Sequence, residues 1–194
     1  MAIPLSPKTA LIVVDVQNDF CPGGALPVPG GDEVVPVLNR YIEKFSAARA
    51  PVVATRDWHP VNHTSFKPYG GIWPIHCVQN TPGAEFHPKL SLPKAVFIVS
   101  KGTDPKMEAY SGFQGTDLTN TLKKWGVETV WVGGLATDYC VKSTALDALQ
   151  AGFEVVFLED ASRGVDLSPG DSQRAQEEMR KAGTRATHLT EAGR

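Results

Sequence analysis

VETVWVGGLATDYCVKS, residues 127–143, begins as an apolar run, breaks at two glycines and passes into a helical pattern. Val141, Ala145, Ala148 and Leu149 continue at helical spacing until Gly152, a stop signal. A strand feeding a helix is half of a βαβ unit, and the arrangement recurs along the chain. Short runs rich in Val, Ile and Phe stand at residues 10–14, 52–55, 95–99, 129–132 and 155–158, with a weaker one at 185–189. Most are continuous rather than alternating, as strands buried on both faces require. Further helical patterns lie at 32–49, 117–125 and 171–181. The chain therefore reads as an α/β protein with a mostly parallel sheet, in one domain spanning residues 1–194.

Composition narrows the function. The 194 residues are 42% hydrophobic, 21% charged and carry a net charge of -2, with no basic block of five or more. That argues against nucleic acid or an anionic membrane as the main partner. There is no signal-peptide pattern and no stretch long enough to span a bilayer, so a cytoplasmic location is expected. Cys21, Cys77 and Cys140 are odd in number and lack CxxC spacing, which speaks against a disulfide framework or a zinc ribbon. Residues 56–94 break the strand–helix rhythm. They are rich in Pro and Gly, yet hold Trp58, Phe66, Tyr69, Trp73 and four histidines, His59, His63, His76 and His87. A loop of that length and aromatic content inside a compact domain is expected to be functional.

Parallel sheets bind ligands beyond the carboxyl ends of their strands. Asp15 follows the first run, Asp57 and His59 the second, Lys101 the third, and the helix bearing Cys140 the fourth. Thr137 or Asp138 is the expected helix N-cap, which puts Cys140 in the first turn, where the dipole and free amides lower a thiol pKa and can hold an oxyanion. By position alone, a nucleophile and a small buried apolar residue are both open readings. No arginine follows at the spacing of a cysteine phosphatase; Leu146 stands there. Asp15, on a central strand, must be paired or at work, and Lys101 is a plausible neighbour. A thiol, a carboxylate and an ammonium together suggest nucleophile, base and stabiliser. Asp57 and His59 point to one side of an extended chain and, with one more histidine, would make a two-His, one-carboxylate metal site. His63, His76 and His87 all compete for that place.

These pieces, taken in order, resemble the nicotinamidase/pyrazinamidase branch of the isochorismatase-like cysteine hydrolases. The landmarks are ALIVVDVQNDF with CPGGALPV, TRDWHPVNHTSF, WPIHCVQNTPGAEFHP, KGTDPKMEAYSGF and GGLATDYCVKSTALDA. The resemblance implies a three-layer α/β/α fold around a six-stranded parallel sheet of order 3-2-1-4-5-6. It implies Asp15, Lys101 and Cys140 as catalytic residues, and Asp57, His59 and His76 as ligands of one divalent metal ion, zinc first, with iron or manganese as alternatives. His63 falls where some relatives place a further ligand and others a supporting group. Leu135–Ala136 matches a cis peptide that would aim the Ala136 amide, beside that of Cys140, into an oxyanion hole. Phe20, Trp73, Tyr110 and Leu135 match the substrate pocket. The implied reaction is hydrolysis of nicotinamide, or pyrazinamide, to the acid and ammonia through a Cys thioester, in NAD salvage. The alternative is an amidase of the same superfamily acting on another small amide. From other classes, a redox sensor built on Cys140 needs none of the metal residues, and a binding module releases no ammonia.

Overall fold

The computed structural model describes residues 5–190. Six parallel strands form one sheet in the order β3-β2-β1-β4-β5-β6, the order expected above. They are β1 (Thr9–Val14), β2 (Val52–Asp57), β3 (Phe97–Lys101), β4 (Thr129–Leu135), β5 (Glu154–Arg163) and β6 (Arg185–Thr187). The helices are α1 (Val34–Ala47), α2 (Leu118–Lys124), α3 (Lys142–Gln150) and α4 (Asp171–Ala182). None of the helices among the described residues is long and apolar enough to cross a membrane.

The continuous apolar runs are explained by burial on two faces. Leu11 and Val13 pack with Leu38, Tyr41 and Phe45 of α1, while Ala10, Ile12 and Val14 pack with Leu122 of α2, Ala145 of α3 and Met179 of α4. Trp131 of β4 sits against Phe45 edge-on, ring centres 5.6 Å apart, and against Tyr41 at 6.3 Å. Each large apolar side chain so buried contributes about 1.5–3 kcal/mol. Helix α1 ends where Arg49 turns left-handed (φ 54°) and Pro51 forbids continuation.

Among the boundaries that differ from the sequence reading, two lie next to Cys140. The glycines that looked like the end of the fourth strand lie inside it. Gly134 pairs with Val14 at φ 131°, and a Cβ there would stand 2.2 Å from the Val14 carbonyl oxygen, so only glycine lets β1 and β4 come this close. Nor does a side chain cap the helix that follows. Residues Thr137–Val141 form a π-helical turn, with Val141 N–H donating to the Ala136 carbonyl at 3.1 Å, and neither Thr137 nor Asp138 caps it. Asp138 instead accepts the amides of Val165 (2.9 Å) and Asp166 (2.8 Å), tying this turn to the loop after β5.

Residues 58–94 are held by specific polar contacts. The Gln17 side chain donates to the carbonyls of Asp57 (2.8 Å) and Ala84 (2.9 Å) and accepts from the Asp57 amide (2.8 Å). Asp19 accepts from the Cys77 amide at 2.7 Å, and His59 and Val78 are bridged strand-fashion.

Candidate active site

Adjacency of β1 with β4 and of β2 with β3 assembles the site. Asp15 leaves β1 at φ 49°, a left-handed conformation rare for a residue with a side chain and commonest at functional positions. Asp57 and Lys101 are the last register pair of β2 and β3. Cys140 sits in the π turn after β4, and the Leu135–Ala136 peptide before it is cis.

Lys101, fully buried, is the hub. Its ammonium donates to Asp57 Oδ1, to the Ala109 carbonyl at 3.2 Å and to Cys140 Sγ at 3.4 Å, and lies 2.9 Å from Asp15 Oδ2. Three donated bonds exhaust an ammonium's three N–H groups. Asp15 Oδ2 is thus held by Lys101 as an ion pair, in the same buried cluster as Asp57 and Cys140. The other oxygen, Oδ1, accepts from the Thr55 hydroxyl at 2.6 Å. One acceptor atom each from Asp15, Asp57 and Cys140 lies within 4.8 Å of the others.

The two carboxylates that share this lysine are driven apart. Burial raises both, and for Asp57 the attraction of Lys101 and bonds from His59 and His76 overcome it, so Asp57 falls well below the usual range. For Asp15, burial outweighs Lys101, and Asp57 adds repulsion, so its pKa is raised. The shared lysine thus leaves Asp57 the stronger anion of the two and Asp15 the more easily protonated. Lys101 is held well above its ordinary value, because the attraction of Asp15 and Asp57 outweighs burial. Cys140 contradicts the expectation of a helix-lowered thiol. Burial pushes it well above the ordinary value despite Lys101, with Asp15 and Asp57 adding to the rise.

Asp57, His59 and His76 form the second constellation. His59 Nε2 and His76 Nε2 stand 3.4 and 3.8 Å from Asp57 Oδ2. The other ring nitrogens bond outward, His59 Nδ1 to the Gly102 carbonyl (3.0 Å) and His76 Nδ1 to that of Pro74 (2.8 Å), which turns both Nε2 lone pairs inward. Ligands at about 2.1 Å in tetrahedral array stand about 3.4 Å apart, so the donor set suits a divalent ion. Gly102 is required here, since a Cβ would lie 2.4 Å from the His59 ring. His63 lies against His59 with ring centres 4.1 Å apart, but both its nitrogens are engaged, Nδ1 with Ser65 and Nε2 with the Met107 carbonyl. His87 lines a separate surface groove.

A pocket opens onto both constellations. Phe20, Trp73, Tyr110, Ala136 and Cys140 line it; Leu135 packs in the core beneath, leaving its cis partner Ala136 as the wall. Trp73 Nε1 donates to Tyr110 Oη at 3.0 Å and its ring meets Tyr139 edge-on. Several contributors were not singled out from sequence: Thr55, Gln17, Tyr139, Glu108, and Phe66, which packs against all three histidines of the cluster. Only Gln17, a polar residue two beyond Asp15 in an apolar stretch, left a signal.

Residues 9–191 match the isochorismatase domain family. The chain is similar to the nicotinamidase of Escherichia coli K12, 43% identical over 91% of this chain and 93% of that one. It is 45% identical to the nicotinamidase/pyrazinamidase of Mycobacterium tuberculosis, over 89% and 95%. Among solved structures, the pyrazinamidase of Pyrococcus horikoshii in complex with zinc superposes with a TM-score of 0.90 at 56% identity, covering 94% of this chain and 99% of that one.

Proposed function

Because the chain belongs to the isochorismatase family, we propose that it is a nicotinamidase that also takes pyrazinamide, hydrolysing the carboxamide to acid and ammonia. The observation that carries this reading is the buried cluster in which Lys101 Nζ lies 2.9 Å from Asp15 Oδ2 and 3.4 Å from Cys140 Sγ, with one acceptor atom each of Asp15, Asp57 and Cys140 within 4.8 Å of the others.

Asp15 takes the thiol proton as Cys140 Sγ bonds to the carboxamide carbon, so the buried thiolate exists only while it attacks. The carbonyl electron pair moves to oxygen, stabilised by the amides of Ala136 and Cys140. Asp15 returns the proton to nitrogen as the C–N bond breaks and ammonia leaves, and the acyl group stays on sulfur. Water then adds to the thioester, Asp15 takes its proton, and sulfur leaves to recover it as thiol. Lys101 keeps its charge throughout and steadies Asp15, Asp57 and the sulfur. Phe20, Trp73 and Tyr110, which line the pocket, hold the aromatic ring of the substrate. Asp57, His59 and His76 would hold one divalent ion, zinc first with iron or manganese also suited, supplying a Lewis acid for a ring nitrogen or water. His63 acts behind His59 as its packing support. Residues 1–194 act as one domain, in the cytoplasm, where its three free cysteines remain reduced.

Ammonia release from nicotinamide tests the reading, run beside chelator-treated and Cys140→Ala samples. Turnover lost in both controls supports it. No turnover by metal-loaded protein rejects nicotinamide as substrate, and a panel of other small carboxamides then identifies the amide.

A further inference from the structure

One acid on the pocket wall has no part in the reaction above. Glu108, half-buried, lines the pocket together with Tyr110 and Cys140. Its Oε1 accepts the Ala109 amide at 3.0 Å, while the Ala109 carbonyl accepts from Lys101 at 3.2 Å. The carboxylate is thus anchored one residue from the carbonyl that meets the active-site lysine. The other carboxylate on this wall, Asp57, is matched by Lys101 and faces two histidines. Among the described residues Glu108 has no ion-pair partner. After burial, its charge also contributes to raising the Tyr110 phenol. An acid without an ion-pair partner among the described residues therefore borders the pocket.

The substrate of this reaction is a neutral amide and its product an anion of nearly the same shape. Ring stacking and a ring-nitrogen contact cannot tell them apart, but a fixed charge can. We propose that Glu108 is the specificity-determining residue that separates substrate from product, disfavouring the carboxylate while tolerating the carboxamide. The proposal rests on the nicotinamidase reading. Two unit charges on the order of 7 Å apart, at an effective dielectric of about 40, oppose each other by about sevenfold in affinity.

The test is binding without turnover. Metal-loaded Cys140→Ala protein is titrated with nicotinamide and with nicotinate, by calorimetry, with Glu108 intact, changed Glu108→Gln and changed Glu108→Lys. Gln keeps the shape and can still accept from Ala109. The ratio of acid Kd to amide Kd should fall about sevenfold in the Gln variant and about fiftyfold in the Lys variant, and both changes should shrink in high salt. An unchanged ratio, or parallel shifts of both ligands, overturns the assignment of Glu108. Failure of the Glu108-intact protein to bind either ligand instead rejects the nicotinamidase reading, and the proposal falls with it.

Discussion

Replacing Lys101 by Met removes one charge while nearly keeping its volume, and its cost can be estimated from the buried cluster. Asp15 is 0% and Asp57 5% exposed, and both face this ammonium. Breaking a buried ion pair by deleting one partner costs about 3–5 kcal/mol. Here two carboxylates lose their shared cation, so the upper end, about 5 kcal/mol, is expected. That is a large share of the roughly 5–15 kcal/mol that stabilises a typical domain. At about 2–4 °C per kcal/mol for a chain of this size, Tm should fall by about 10–20 °C. The assay is thermal unfolding of chelator-treated protein by circular dichroism at neutral pH. The diagnostic arm is a second change, Asp15→Asn, in the Lys101→Met background. If repulsion and uncompensated charge cause the loss, the double variant should recover about 2–3 kcal/mol, a coupling typical of neighbours in one network. A Tm shift below about 3 °C, or a double variant less stable than the single, would refute the account of Lys101 as the hub.

Gln17→Leu strands two buried carbonyls and one buried amide, at about 1–3 kcal/mol each. It should lower stability by about 3–5 kcal/mol in urea unfolding and weaken zinc binding about 10- to 100-fold in a competition titration, since it positions Asp57. His76→Ala should leave the circular dichroism spectrum intact while retained metal, counted by mass spectrometry, drops below the parent's. Cys21 gives a pH prediction. Burial, with Asp32 adding, raises its thiol from 9.0 to about 11. An unfolded chain therefore binds fewer protons than the folded one between about pH 9 and 11, and stability falls as pH rises through that window. Full titration is worth about 2–3 kcal/mol. Cys21→Ala should flatten this alkaline loss, and an unchanged slope would count against the burial of that thiol.

The β-rich runs and the helical stripes were legible because burial on both faces of a sheet and on one face of a helix imposes distinct periods on the chain. The strand-end residues Asp15, Asp57, Lys101 and Cys140 were legible for a related reason, since a charged or reactive group at the end of an apolar run has few structural uses. Spacing alone did not name their metal-site partner, which the family resemblance implied as His76. DWH leaves His63, His76 and His87 equally open, and only the folding of residues 58–94 brings His76 to Asp57 and turns His63 and His87 to other bonds. The extent of the fourth strand was hidden as well, because Gly133 and Gly134 read as a break until Val14 is known to lie against them. Protonation was the property least accessible from sequence. A cysteine after a strand suggests a thiolate helped by a helix, yet burial, with Asp15 and Asp57 adding, raises the Cys140 pKa despite Lys101, and burial raises that of Asp15 as well. Residue type and spacing are local properties of the chain. A pKa is set by desolvation and by charges from four different strand ends, which share a neighbourhood only after the sheet has formed.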